Sequence, residues 1–541
     1  MNSILVTLKV DERTKISDIL SKFKESSSDL LLIDVNTVVT KPHLELVTDY
    51  PRSLTTALVA PLADGDLRVA HDLVQGASSD SHKVGKGDHT SLGVVRLSQK
   101  QRLEIISVLE KVQGTSKPGN TIDLILVALV RAAVLVFPAK VTGAPYIRSS
   151  VASERAKVQR EIESLNEAHL RLKLANRAND GFFSVFVLRK FSKLFTWAAV
   201  RLKMTPNQVT VISFLIGLLS AYQFSLGKFW PTVIGALLLQ LSIIVDCVDG
   251  ELARYTRKFS QFGAWLDAIT DRIKEYLVYF ALAYGAEKNG QDIWLLAIGM
   301  MLFQTVRHIS DYNFARINKI RSSVMPIISF DQESDGFVPQ SREKKGRLRY
   351  WAKKAAQFPI GERWLVISAT SIIGGGLLTF IAMPIISLVS ITLVFRGRVK
   401  RTLLWEKERV NKPLIDNQLD APWGAFTSNR FDWLQPSLLR LFEGAIYIAC
   451  LVTLDLDKHL IFLLLFAILF GHYDAMYRAL AGEKKPLWLS ALGGFIPGRI
   501  VIISAFIYFG TTLLPLVYYF GALYFLVSSL QWVVVNFVKG K

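Results

Sequence analysis

Four carboxylates, one arginine and two glycines stand between two apolar runs in the stretch DCVDGELARYTRKFSQFGAWLDAITD, residues 246 to 271. The spaced residues are Asp246, Asp249, Gly250, Ala253, Arg254, Gly263, Asp267 and Asp271. Asp246 and Asp249 are three apart, and Asp267 and Asp271 are four apart, so on helices each pair shares a face. Two such helices facing one another bring oxygen ligands to one small volume. Mg²⁺ and Mn²⁺ prefer that chemistry, completed by a ligand's phosphates. Gly250 lets a phosphate approach the backbone, Gly263 lets two helices approach each other, and Arg254 offers a donor fork matched to phosphate. An ionised side chain in a membrane span costs roughly 2.5 to 3.5 kcal/mol on insertion scales. Four aspartates beside apolar helices therefore need partners.

Written as D-x2-D-G-x2-A-R-x8-G-x3-D-x3-D, with every fixed position filled, the stretch resembles the signature of the CDP-alcohol phosphotransferase family. The resemblance implies transfer of a substituted phosphoryl group from a CDP-alcohol donor to the hydroxyl of a second alcohol, with release of CMP. It implies two divalent ions, Mg²⁺ or Mn²⁺, on Asp246, Asp249 and Asp267, with Asp271 as general base and shared ligand. Gly250, Ala253, Arg254 and Gly263 would shape the CDP pocket. The segment TPNQVT, residues 205 to 210, is similar to the entry of the family's first membrane helix, which makes Asn207 and Thr210 further donor contacts; Thr205 before Pro206 also reads as a helix cap. On antiparallel helices, Asp271 lies a turn further from Asp249 than Asp267 does. That leaves it toward the acceptor.

The whole chain agrees with a membrane setting. It has 541 residues, 51% of them apolar, and 64 Lys and Arg against 45 Asp and Glu for a net charge of +19. In a membrane protein such an excess marks cytoplasmic loops and anionic lipid, so a nucleic-acid partner is not expected. Cys247 and Cys450 both fall in apolar segments and imply no disulfide framework. The opening residues show no cleavable signal pattern, which places the first domain on the side of synthesis.

Taken in order, residues 1–150 read as a soluble α/β domain. The runs at 30–39 and 55–63 have strand length, and 100–113 has helical period. The apolar run 121–137 carries Asp123 and Arg131, and we read it as a buried helix followed by a strand rather than a span. The layout is similar to fusions that place a nucleotidyltransferase domain ahead of such a core. With its first glycine at Gly65, this domain lacks the early glycine-rich nucleotide loop and reads as a degenerate, non-catalytic version. Residues 151–204 read as a charged linker and an interfacial helix, in which Phe182, Phe183, Phe186, Phe191, Phe195 and Trp197 interleave with Arg189, Lys190, Lys193, Arg201 and Lys203.

The fold expected from 205–397 is a polytopic α-helical core of six membrane helices, near 206–226, 229–248, 272–287, 291–310, 361–377 and 379–396. A C-terminal membrane domain of about four more spans, 398–541, follows. The basic loop 311–360 puts the aspartates at a cytoplasmic mouth. That topology brings Arg307, Arg363, Arg396 and Arg398 to the same mouth, as ligands of a polyol-phosphate acceptor such as inositol phosphate or as ordinary positive anchors. The HYD at 472–474, near Arg478, reads as a helix end. A homodimer is implied by the family resemblance. The rival reading is an ion-coupled transporter with an intramembrane acidic cluster, which accounts for the aspartates and not for Gly250, Ala253, Arg254 and Gly263 at their spacing.

Overall fold

The computed structural model describes residues 5–48, 54–70, 73–78, 87–114, 121–175, 181–324, 351–352, 354–404, 431–480, 485–510 and 512–539. The middle of the expected basic loop and most of the polar connection after 404 lie outside them. Two compact units divide the chain, one built on Met1–Asn179 and the other on Asp180–Asn318 with Pro339–Lys541.

The first unit is a three-layer α/β fold. Its strands are β1 (Val6–Val10), β2 (Leu30–Asp34), β3 (Thr37–Val38), β4 (Thr55–Pro61), β5 (Leu67–Ala70), β6 (Leu73–Ala77), β7 (His89–Leu97), β8 (Val136–Lys140) and β9 (Ile147–Arg148). Its helices are α1 (Ile16–Glu25), α2 (Lys41–Thr48), α3 (Arg102–Val112), α4 (Thr121–Arg131), α5 (Ala152–Glu163) and α6 (Glu167–Ala175). The main sheet runs β1-β2-β7-β4-β8, with β7 antiparallel between two parallel pairs. Side chains alternate along each strand, so Leu30, Leu32, Ala57 and Val59 pack toward α1, α3 and α4, whereas Leu31, Leu58 and Ala60 pack with Val47 of α2. Both faces are covered, which is why β2 and β4 read as continuous apolar runs. The 121–137 run is a helix and then a strand, as expected, because Asp123 meets Arg148 at 2.8 Å inside the domain.

The second unit is a polytopic helical bundle. It opens with a π-helical turn at Ser184–Leu188 and α7 (Arg189–Arg201). The core helices are α8 (Pro206–Ser225), α9 (Phe229–Thr256), α10 (Gln261–Glu287), α11 (Trp294–Val324) and α12 (Ile360–Leu404). Helical geometry fails at Gly374 and Gly375, so α12 is two helices joined at a bend, and the core has the six expected members. The remainder comprises α13 (Gln435–Thr453), α14 (Lys458–Leu480), α15 (Leu487–Leu492), α16 (Phe495–Tyr508), α17 (Leu514–Val517) and α18 (Tyr524–Lys539).

Among the described residues seven helical segments are long and apolar enough to cross a membrane by length and composition. α12 counts once in that number despite its bend, and α10 and α11 fall short of the apolar standard. Their polar residues are inside the bundle, where Lys274, Glu275, Gln304 and Thr305 are all fully buried. Outward-facing Leu215, Leu219, Leu237, Ile385, Leu388 and Val389 are exposed, as a lipid-facing surface requires.

Candidate active site

The signature folds as a helical hairpin. α9 carries Asp246 to Arg254 in its last turns and stops at Arg257, whose φ of 58° breaks the helix. Ser260 then caps α10 by accepting a hydrogen bond from the Gly263 amide at 2.8 Å. α8 enters beside them with Thr205 as its cap and Pro206 in its first turn, an arrangement the TPNQVT residues announce. A Cβ on Gly263 would lie 2.7 Å from Asn207 Oδ1 and 2.7 Å from Ser260 Oγ, so the glycine is what lets α8 and α10 meet here. One at Gly250 would lie 3.1 Å from Arg254 Nη1, which sets the arginine close over the backbone of its own helix. Ala253 is half-buried on the same turns.

The carboxylates converge, though not all four alike. Asp246, Asp267 and Asp271 each present an oxygen, and those oxygens lie within 4.8 Å of one another. Among the described residues this is the one such grouping of three metal-type ligands. Asp249 stands beside the trio, with its Oδ2 accepting a hydrogen bond from Thr210 Oγ1 at 2.5 Å. Thr210, expected near the donor nucleotide, holds one of the signature carboxylates.

The residues fit a hard divalent ion. Oxygens bound to Mg²⁺ at about 2.1 Å lie up to about 4.2 Å apart, so small side-chain movements would close the trio on one ion. Three carboxylates gathered this closely in a largely buried place are costly unless cations offset their charge.

Charged residues that the signature does not include complete the site. Lys274, one turn after Asp271, lies fully buried with its Nζ 2.7 Å from Asp246 Oδ1 and 3.0 Å from Asp271 Oδ1. The second contact is an ion pair off the line of a hydrogen bond. Arg272 reaches Glu275 at 2.7 Å and lies 4.0 Å from Asp271 Oδ2. Glu251, inside the signature, is tied to α7 by Arg189 at 2.7 Å, Ser192 at 2.7 Å and Thr196 at 2.6 Å. Sequence reading passed over all of these. The legible signal was DRIKEY, a run of charge in a stretch otherwise fit for a membrane.

Of the expected acceptor arginines, Arg307 and Arg363 donate to the neighbouring Gln357 and Phe358 carbonyls, and Arg307 and Arg398 share Asp311. Arg363 is chelated by Glu275 at 3.0 and 3.1 Å and is buried. Arg307 donates to the Gln357 carbonyl and to Ser390 Oγ at 3.1 Å, leaving its buried Nη1 without a hydrogen bond. Arg396 is exposed, and it is Arg398 that joins Arg307 at Asp311, 2.5 Å away. An intramembrane arginine beside a buried glutamate pairs with it rather than wait for a ligand.

α14 packs against α10. Asp474 accepts from Trp265 Nε1 at 3.0 Å and from Arg478 Nε at 2.8 Å, and Tyr473 bonds His308 at 2.8 Å and Tyr276 at 2.9 Å. The HYD segment is therefore inside the bundle and not at an exposed helix end, because each of its polar groups has a buried partner.

Residues 203–327 match the family model described as CDP-alcohol phosphatidyltransferase. Over 104 residues the chain is 40% identical to a bifunctional IPC transferase and DIPP synthase of Aquifex aeolicus, covering 19% of this chain and 23% of that protein. Over 146 residues it is 41% identical to a protein of the same description from Archaeoglobus fulgidus, covering 27% and 29%. Over 98 residues it is 38% identical to the archaetidylinositol phosphate synthase of Pyrococcus horikoshii, covering 18% and 50%. The chain thus spans less than a third of the two bifunctional relatives and half of the third. The segment that matches this family encloses the whole aspartate hairpin and lies within a polytopic helical bundle.

Proposed function

We propose that the protein is a membrane transferase that moves a substituted phosphoryl group from a CDP-alcohol to the hydroxyl of a second alcohol and releases CMP. The observation that carries this reading is the meeting of Asp246, Asp267 and Asp271 oxygens within 4.8 Å at the end of a helical hairpin that also bears Gly250, Ala253 and Arg254.

Asp246, Asp267 and Asp271, with Asp249 alongside, would hold Mg²⁺ or Mn²⁺. A bound divalent ion supplies Lewis acidity toward the diphosphate and fixes its alignment. The protein's own residues do the rest. Gly250 keeps the backbone open to the donor, Gly263 brings Asn207 over the α10 entry, and Arg254 meets phosphate charge with a donor fork. Asp271 takes the proton of the acceptor hydroxyl. A bond then forms between that hydroxyl oxygen and the donor's β-phosphorus, the anhydride bond to the α-phosphate breaks, and CMP leaves with its electrons.

The acceptor we infer is a polyol phosphate of the inositol phosphate type, supported by the relatives' descriptions and by the spare buried Nη1 of Arg307. The site would open to the cytoplasm, and the chain would assemble as a homodimer. α14 already occupies one side of α10, so a second copy would engage another surface. The N-terminal domain we read as nucleotidyltransferase-like and non-catalytic, since Asp34 at the end of β2 and Asp123 in the first turn of α4 are bridged by Arg148.

The test is a panel of CDP-alcohols against inositol, glycerol and sugar phosphates, given to the purified full chain with Mn²⁺ and read by CMP release and product mass. Release of CMP with a phosphodiester of the summed mass supports the proposal. Folded protein that leaves every donor intact across the panel overturns it.

A further inference from the structure

Lys274 occupies a slot shaped for it. Its aliphatic stem passes Gly217 of α8, where a Cβ would lie 2.8 Å from both Lys274 Cγ and Cδ. No other residue type at 217 would leave that passage open without displacing the stem. At the end of the slot the ammonium donates to Asp246 Oδ1 at 2.7 Å and to Ser213 Oγ at 2.9 Å, and faces Asp271 Oδ1 at 3.0 Å. Ser213 is itself held by Ser242, each hydroxyl donating to the other's backbone carbonyl at 3.0 and 2.8 Å. The Trp364 ring closes the slot, 5.3 Å from Nζ, a distance that favours a cation over the ring face. An ordinary charged anchor would reach for water, whereas this one is fully enclosed and aimed between two proposed metal ligands.

The charge arrangement has a consequence for how many ions the site takes. Two divalent ions shared by four aspartates would use both oxygens of the bridging carboxylates. Here one oxygen of Asp246 and one of Asp271 already face an ammonium, and an ion bound through those same atoms would sit against a like charge at contact distance. Asp246 and Asp271 each have a second carboxylate oxygen besides the one facing Lys274, which with Asp267 supplies enough oxygens for one ion.

We infer that Lys274 is a resident cation filling the place of a second metal ion, so that this chain binds one divalent ion where four aspartates would otherwise hold two. The inference rests on the metal-binding reading proposed above and deepens it. Lys274 is then a positioning residue, holding Asp246 and Asp271 together whether or not an ion is bound.

The experiment counts Mn²⁺ bound to the purified full chain, from the free-ion electron paramagnetic resonance signal, and compares wild type with Lys274→Met and Asp267→Asn. The expected result is one ion per chain in wild type, two in Lys274→Met with the spectral broadening of neighbouring ions, and at least a tenfold loss of affinity in Asp267→Asn. Two tight ions in wild type would overturn the inference while leaving the transferase reading intact. So would a folded Lys274→Met that still binds one. Wild type that binds none would remove both. Should Lys274→Met fail to fold, the wild-type count decides alone, and Lys274→Arg, which keeps the charge, is expected to stay at one ion.

Discussion

Arg148 in the N-terminal sheet and Lys274 in the membrane bundle are each a cation set between two aspartates, and the settings differ in what is left over. Arg148 meets Asp34 at 2.8 Å and Asp123 at 2.8 Å, while the other Asp34 oxygen accepts the Asn36 amide at 2.9 Å. Gly93, with φ of 66°, clears room for this contact, since a Cβ there would lie 2.7 Å from Asp34 Cβ and 2.8 Å from Arg148 Nε. Burial pushes the Asp123 carboxyl above its ordinary range even with Arg148 pulling it down. Here the cation closes the site. Lys274 faces Asp246 and Asp271 in the same manner, but Asp249 and Asp267 stand next to them and Asp271 Oδ1 makes no hydrogen bond. That surplus of carboxylates over the one ammonium is what distinguishes a binding site from a structural ion pair.

Breaking each arrangement tests the distinction, beginning with the largest effect. Asp271→Asn removes the proton acceptor and should lower CMP release by about 10³-fold while the bundle stays folded, since general-base catalysis contributes roughly 10² to 10⁴. Arg148→Ala should instead act on stability. It strands Asp34 and Asp123 and should cost the N-terminal domain about 3 kcal/mol, read as faster hydrogen exchange in β2 and α4. An Arg148→Ala protein with unchanged exchange would contradict the structural role.

A third effect depends on pH. Burial lowers the His43 pKa from its ordinary 6.5 to about 4. The unfolded chain therefore takes up a proton first as the pH falls. Stability of the N-terminal domain should decline from about pH 6.5 and level off near pH 4, losing at most about 3 kcal/mol. His43→Gln should flatten that slope in denaturation curves. The smallest effect is local. Thr205→Ala removes the α8 cap and should lower bundle stability by about 1 kcal/mol, with Mn²⁺ affinity unchanged.

Much of this was legible from residues alone, and the reasons are physical. The hairpin could be read because carboxylates are costly in a membrane and their three- and four-residue spacing sets their direction. Residues 121–137 form a helix and then a strand because Asp123 and Arg131 are too polar for a span and Asp123 pairs with Arg148. What spacing could not convey was partner choice across helices. Thr210 bonds Asp249, Arg363 bonds Glu275, and Lys274 enters between Asp246 and Asp271, each decided by how α8, α10 and α12 pack. The shared membrane side of the basic residues was legible, but the pairing of Arg363 with Glu275 and of Arg307 and Arg398 with Asp311 was not.

The central claim is that α9 and α10 together hold a divalent ion against the donor's diphosphate. Pulsed electron paramagnetic resonance of protein-bound Mn²⁺ with a CDP-alcohol tests it directly. The account predicts ³¹P hyperfine coupling in wild type and its loss in Asp267→Asn. Bound Mn²⁺ without ³¹P coupling, or equal Mn²⁺ affinity in an Asp246→Asn and Asp267→Asn double variant, would contradict it.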